Sequence, residues 1–180
     1  MSLRFPARLI YHPAPPDNSM RSQFIKLTGI ALAATAISIS LSLAAPYADG
    51  SKVEPFTAKD QHENAVTFKP ADTRFLLVSH DMETGKKANA VLSPLGKEFL
   101  GSKKAVYMAN IFGMPGIGRM FAIPKMKKYS HRIVLADDAA LIAHFPAQAG
   151  KVTVLTLADG KVASIAYWTP GAEGLDAYLK

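Results

Sequence analysis

The chain has 180 residues, 49% of them apolar and 19% charged, with 21 Lys and Arg against 14 Asp and Glu. That length and apolar content fit one compact domain with a real core. It contains no cysteine, which excludes disulfides, thiol peroxidase chemistry, Cys-ligated zinc and iron–sulfur clusters.

Residues 1–19, "MSLRFPARLIYHPAPPDNS", fit neither a signal nor a domain, and Met20 is the expected initiator. From Met20 the chain reads as an export signal: Arg21 and Lys26 form a positive segment, Leu27 to Leu43 an apolar run, and Ser42-Leu43-Ala44 a small-x-small cleavage site. The run is near the lower length limit for a membrane span, but its Ala and Ser content and its small terminal residues favour cleavage. The cut is expected after Ala44, because a cut one residue later would leave Pro46 first. The expected mature protein, residues 45–180, is then periplasmic or secreted.

Removing residues 1–44 takes away Arg4, Arg8, Arg21, Lys26 and Asp17, leaving 17 basic against 13 acidic residues, a net charge of +4. The remaining excess sits in Lys103, Lys104, Arg119, Lys125, Lys127, Lys128 and Arg132. Such a cluster reads as a solvated helix face, or as one that meets lipid headgroups, anionic glycans or an acidic partner. The interleaved basic and aromatic residues of a nucleic-acid surface are missing, so no nucleic acid is expected.

Residues 45–64 read as a polar leading segment broken by Pro46, Gly50 and Pro55. "AVTF", Ala65 to Phe68, predicts a short strand, and "TRFLLVSH", Thr73 to His80, a strand buried on both faces. Ala88, Val91, Leu92, Leu95, Phe99 and Leu100 recur at helical spacing, with a break expected at Pro94. Lys104 to Ile111 predicts the next buried strand, Ile117 to Lys128 a helix, and His131 to Ala136 a third strand. Asp137 or Asp138 is placed to cap a short helix through "AALIAHF". In "KVTVLTLADGKVASIAYW" two β-branched runs flank Asp159-Gly160, a pair suited to the positive φ angles of a tight hairpin. Thr169-Pro170 then predicts the opening of a last helix, docked by Leu175, Tyr178 and Leu179. Alternating buried strands and helices predict an α/β three-layer domain whose sheet has parallel core strands and a C-terminal antiparallel hairpin followed by a helix.

This order resembles the thioredoxin-like fold in its redoxin form. The likeness is carried by "FTAKDQHENAVTF" leading into "TRFLLVSH", by "HRIVLADDAALIAHF", and by "VTVLTLADGKV" with its Asp-Gly turn, and it covers roughly Phe56 to Lys180. It is most similar to small exported bacterial thioredoxin-like proteins of unknown activity, which share the Met-Pro-Gly or Ile-Pro-Gly loop and the basic helix after it. The resemblance implies a reactive cysteine just after the first buried strand, where Ser79, His80, Asp81 and Met82 stand instead. It implies a cis-proline at about Lys151, and a lysine cannot hold a cis peptide at a cost below about 3 kcal/mol. Both functional marks of the fold are gone, so thiol oxidoreductase activity is not expected.

The loop with Gly113, Gly116 and Gly118 invites a nucleotide reading. Its spacing fails the dinucleotide fingerprint, because Phe121 stands where a third glycine is needed, and no Lys-Ser or Lys-Thr follows for a phosphate loop. Only Asp137, about 20 residues on, matches the acidic residue such a site needs. A glycine-assisted turn into a helix N-terminus is therefore expected, with no cofactor. His80 and Asp81 are the candidate catalytic pair, since ligands of open α/β sheets bind beyond the carboxyl ends of the strands. His80 is also a candidate metal ligand with His131 or His144, although no ligand spacing supports it. Met108, Met114, Met120 and Met126 read as core or groove packing rather than Cu(I) ligands, and Ser79 lacks the Gly-x-Ser-x-Gly elbow of a nucleophile.

The expected function is binding. The expected surface joins His80 to Met82 with Gly113, Gly116, Gly118 and Arg119 and with the lysines Lys125, Lys127 and Lys128, and its partner is an envelope protein or an anionic ligand. The competing expectation is a cofactor- or metal-dependent enzyme using His80 and Asp81 or the glycine loop.

Overall fold

The computed structural model describes residues 45–180. The expected signal and the residues upstream of it lie outside the described residues. Seven strands form one sheet: β1 (Phe56–Asp60), β2 (Ala65–Phe68), β3 (Phe75–Ser79), β4 (Ala105–Asn110), β5 (Val134–Ala136), β6 (Val152–Ala158) and β7 (Lys161–Trp168). Their spatial order is β2-β1-β5-β4-β3-β6-β7. The pairs β3–β4 and β4–β5 are parallel and all the others antiparallel.

The continuous apolar run becomes β3, whose five residues are all buried in the middle of the sheet. After it come α1 (Met82–Leu92) and a 3-10 turn at Ser93–Leu95. This is the break expected at Pro94, and the short α2 (Phe99–Ser102) follows. The chain steps from β3 to β4 to β5 in one direction across the sheet. Right-handed crossovers therefore put α1 and α3 (Gly116–Met126) on the same face. There they cover a core of Phe75, Leu77, Tyr107, Val154 and Trp168. From β5 the chain returns past β4 and β3 to β6, so α4 (Ala139–Ala143) lies on the other face. Its Leu141 and Ile142 pack there against Leu76, Val78, Met108 and Leu155. Asp138 is the residue that caps α4, accepting from the N–H groups of Ala140 and Leu141.

The hairpin between β6 and β7 turns at Asp159 (φ 50°) and Gly160 (φ 74°), the two left-handed residues its sequence demands. No helix among the described residues is long and apolar enough to cross a membrane.

Three expectations are corrected. Residues 45–64 are not merely a polar leader. Phe56–Asp60 forms β1 between β2 and β5, while Val53 is buried and its N–H reaches Gly160 O at 2.9 Å. The strand escapes pattern reading because its residues alternate between half-buried and exposed until Asp60, with no apolar run to mark it. The helix expected after Thr169-Pro170 is only a 3-10 turn at Leu175–Ala177. Gly171 lies at φ 85°, and Trp168 Nε1 donates to Glu173 O at 2.9 Å while Glu173 Oε2 accepts from Thr169 N at 3.0 Å. These bonds hold the chain in a compact reversal rather than a helix. Finally, β5 is three residues long instead of six. The Gln61 side chain continues its ladder, donating from Nε2 to His131 O and accepting at Oε1 from Ile133 N, both at 2.9 Å.

Candidate functional site

The corner beyond the carboxyl end of β3 is built from residues that satisfy one another. Ser79 is buried, and its hydroxyl pairs with the Tyr107 hydroxyl at 3.0 Å. Gly85 of α1 closes over them, where a Cβ would stand 3.4 Å from Ser79 Oγ. Burial pushes the Tyr107 phenol far above its ordinary value. This pair is a packed hydroxyl bridge rather than an exposed nucleophile.

His80 Nε2 lies 3.1 Å from Thr153 Oγ1, and that hydroxyl donates its single proton to Pro146 O at 2.6 Å. The hydroxyl must then accept from His80, so Nε2 carries the ring proton. Burial lowers the His80 pKa against the opposing charge of Asp81, which favours the neutral ring. Asp81 is the N-cap of α1, accepting from Thr84 N at 2.8 Å and Thr84 Oγ1 at 2.7 Å. Burial pushes its carboxyl upward, but the bonds from Thr84 prevail and hold it below the usual range. Asp81 thus spends both oxygens on its own helix. Replacing it with alanine is expected to cost about 1 kcal/mol, and with asparagine much less, because an amide oxygen still caps; urea unfolding followed by circular dichroism reads both.

The glycine loop is a tethered turn. Gly113 is its one left-handed glycine, at φ 75°. Gly118 sits close against Met114, whose Cγ a Cβ there would meet at 3.3 Å. Arg119, expected to face a ligand, is spent on the chain itself: its guanidinium donates to both Asp137 oxygens, to Met114 O and to Ile111 O, the last two at 3.1 Å. Asp137 therefore serves as the anchor of this loop, and its carboxyl is held below the usual range by the Arg119 guanidinium.

Between α1 and α3 runs a groove of about 530 Å³. Of the residues expected at the site, Met82, Gly118, Lys125 and Lys128 line it. Gly113, Gly116, Arg119 and His80 do not, and Lys127 instead sits 3.5 Å from Glu63. Met114, Phe121 and Met126 complete the apolar lining, and Lys86 adds a further cation. Met82 and Lys86 stand one helical turn apart on α1, a spacing that would have marked them as one stripe.

The three candidate metal-binding histidines are kept apart. His131 is buried on the α1 and α3 face, bonded through Nε2 to Asn89 Oδ1 at 2.9 Å and flanked by Tyr107 and Tyr129. His144 stacks on Tyr47, which packs on the opposite face. Among the described residues no three His, Asp or Glu side chains gather as metal ligands. Met114 and Met126 pack in the groove and Met108 in the core, as expected, whereas Met120 points outward, 73% exposed.

No family model matches the chain, and no curated protein matches it. Solved structures do. One is a putative thiol:disulfide interchange protein DsbE from Chlorobium tepidum, at TM-score 0.53 and 12% identity, covering 74% of this chain and 99% of that one. A second is a putative protein disulfide isomerase from Bacteroides thetaiotaomicron, at TM-score 0.50 and 12% identity, covering 77% and 90%. A third is a peroxiredoxin-like protein from Aquifex aeolicus, at TM-score 0.50 and 11% identity, covering 76% and 87%.

The fold is thioredoxin-like. Within it, the chain is cysteine-free. At the corner where the sequence resemblance implies a reactive cysteine, this thioredoxin-like domain carries the hydroxyl bridge of Ser79, the neutral His80 and the cap Asp81. At the position implied for a cis-proline it carries Lys151, whose N–H donates to Gln148 O at 3.1 Å, and no cis peptide occurs among the described residues. Thiol–disulfide chemistry needs a thiolate, and the chain has none to offer.

Proposed function

We propose that this thioredoxin-like protein is an exported, non-catalytic binding module of the cell envelope, with residues 20–44 as its cleaved signal, the cut after Ala44, and residues 45–180 as the acting domain. Its partner is an envelope protein or a ligand that presents acidic groups. The observation carrying this reading is the α1–α3 groove. Met82, Met114, Phe121 and Met126 give it an apolar wall, and Lys86, Lys125 and Lys128 supply positive charge. Methionine side chains adapt their shape to what they contact, which suits a binding wall better than a reaction centre.

The test is a photo-crosslinking amino acid in place of Ala122, in the protein exported by its own signal. A specific crosslinked partner is expected, and its yield is expected to fall at least tenfold when Lys125, Lys127 and Lys128 are all changed to glutamate while the unfolding midpoint is retained. Undiminished capture by that variant would remove the basic face from the function. A native mass spectrum of the same material is expected to match residues 45–180 without an adduct. A flavin or metal adduct lost in His80→Ala would favour an enzyme instead.

A further inference from the structure

Among the described residues, four of the six large apolar side chains that stand exposed fall within Phe112 to Phe121: Phe112 (52%), Ile117 (70%), Met120 (73%) and Phe121 (73%). On α3 the residues Ile117, Phe121, Pro124 and Lys128 recur at helical spacing and so share one outward stripe, flanked by Met120 and Lys127 on one side and Lys125 on the other. The opposite side of α3 carries Ile123 and Met126, which pack on the core. The outward face is thus apolar over its first two turns and basic at its end. A monomer seldom leaves such a patch uncovered without a use for it.

The chain segment that carries the patch is charged with one sign, although Glu63 from the β1–β2 turn pairs with Lys127 at 3.5 Å. From Phe99 to Ala136 the chain contains seven Lys and Arg and no Asp or Glu. The patch is also held in place from behind. Arg119 draws Ile111, Met114 and Asp137 together, and Phe112 N donates to Asn110 Oδ1 at 2.9 Å and to Ala136 O at 3.2 Å. From this tethered loop Phe112 and Ile117 project outward as apolar side chains.

We propose that this face docks on an anionic phospholipid bilayer: Phe112, Ile117, Met120 and Phe121 enter the boundary between headgroups and acyl chains, while Lys125, Lys127 and Lys128 meet the headgroup phosphates. A helix with an apolar stripe and lysines beside it lies in that interface, and each lysine near an anionic surface adds to the attraction. The face is a helix surface with protruding side chains, which meets a plane more readily than it receives an inserted segment. A second copy of the chain is disfavoured, because pairing two such faces would bring like charges together. Phe121, Lys125 and Lys128 also border the α1–α3 groove, whereas Phe112, Ile117 and Met120 do not, and the two readings differ in the occupant each binds.

Phe121→Trp supplies the probe. The chain's single natural tryptophan, Trp168, is fully buried, so the wild-type protein serves as the blank. Vesicles of brominated phosphatidylcholine with phosphatidylglycerol are expected to quench the fluorescence of the introduced indole, and phosphatidylcholine vesicles alone are not. Changing Lys125, Lys127 and Lys128 to glutamate in the same background is expected to weaken vesicle affinity on the order of 100-fold, with the triple change to glutamine as a milder companion. The signal is local to position 121, so attachment through another part of the full chain does not imitate it. Absence of quenching in anionic vesicles overturns the proposal, as does equal quenching in neutral ones or quenching indifferent to the lysines. If quenching fails while the lysine variants still lose their crosslinked partner, the groove reading stands alone; quenching with capture unchanged leaves the bilayer reading alone.

Discussion

Trp168→Ala is expected to lower the unfolding free energy by about 3–5 kcal/mol, the usual cost of emptying a large aromatic site. Trp168 is the last residue of β7 and fully buried, packed in the core that also holds Leu175 and Leu179. Its loss does more than leave a hole. The indole N–H fixes Glu173 O at 2.9 Å, and the Glu173 carboxylate in turn accepts from Thr169 N at 3.0 Å and from the Tyr178 hydroxyl at 2.6 Å. Without the indole, the reversal that docks the C-terminal segment loses its pivot. Trp168→Phe keeps most of the ring and removes the donor, so it should cost only about 1–2 kcal/mol. Urea unfolding followed by far-ultraviolet circular dichroism separates the two variants, and equal losses would show that the indole bond does not hold the segment. A domain of this size is stable by only about 5–15 kcal/mol, so the alanine variant should sit near the limit of folding.

Acid should destabilise the protein well before its carboxylates titrate. His131 is 1% exposed, and burial lowers its pKa from 6.5 to about 4. Its Nε2 is engaged by Asn89, and Nδ1 has no partner, so a second proton would create a buried donor with nothing to accept it. Above pH 6.5 the ring is neutral in both folded and unfolded chains, and stability does not depend on it. Between pH 6.5 and about 4 the unfolded chain takes up a proton that the folded one refuses, and stability falls by up to about 1.4 kcal/mol per pH unit. The loss attributable to this residue should approach roughly 3 kcal/mol at pH 4 and then level off. His80, also lowered by burial, contributes in the same direction. Asp60, Asp81 and Asp137 are lowered as carboxylates, so their contributions are lost only at lower pH, below the ordinary carboxylate range. In His131→Gln the slope between pH 6.5 and 4 should flatten, measured from urea midpoints across that range. An unchanged slope would assign the acid sensitivity to other groups.

What could be read from the sequence follows from how local each cause is. Asp159-Gly160 specifies its turn within two residues, and Phe75 to Ser79 announces a central strand because neither of its faces meets water. Asp138 as a helix cap and Pro94 as a helix break are equally local. The strand Phe56–Asp60 is different, since its place depends on β2 and β5 lying on either side of it. The C-terminal reversal likewise depends on Trp168 meeting Glu173. At the site, Met82, Lys125 and Lys128 were legible as one face from charge and position. Arg119 was not: its charge suggested a ligand, but its partner Asp137 lies 18 residues away across a whole crossover, and only the parallel pairing of β4 and β5 brings the two together.

That tie within the chain separates the part that must stay from the part that is free to vary. Arg119 and Asp137 secure the segment between β4 and β5 through bonds within the chain, so the shape of that segment is set by residues other than its most exposed apolar ones. Positions 112, 117, 120 and 121 then contribute little to holding the fold, and their identities can drift or be exchanged while the scaffold persists. The segment is in effect a display site, in which selection for a new target, natural or in a randomised library, could proceed without renegotiating the architecture beneath it.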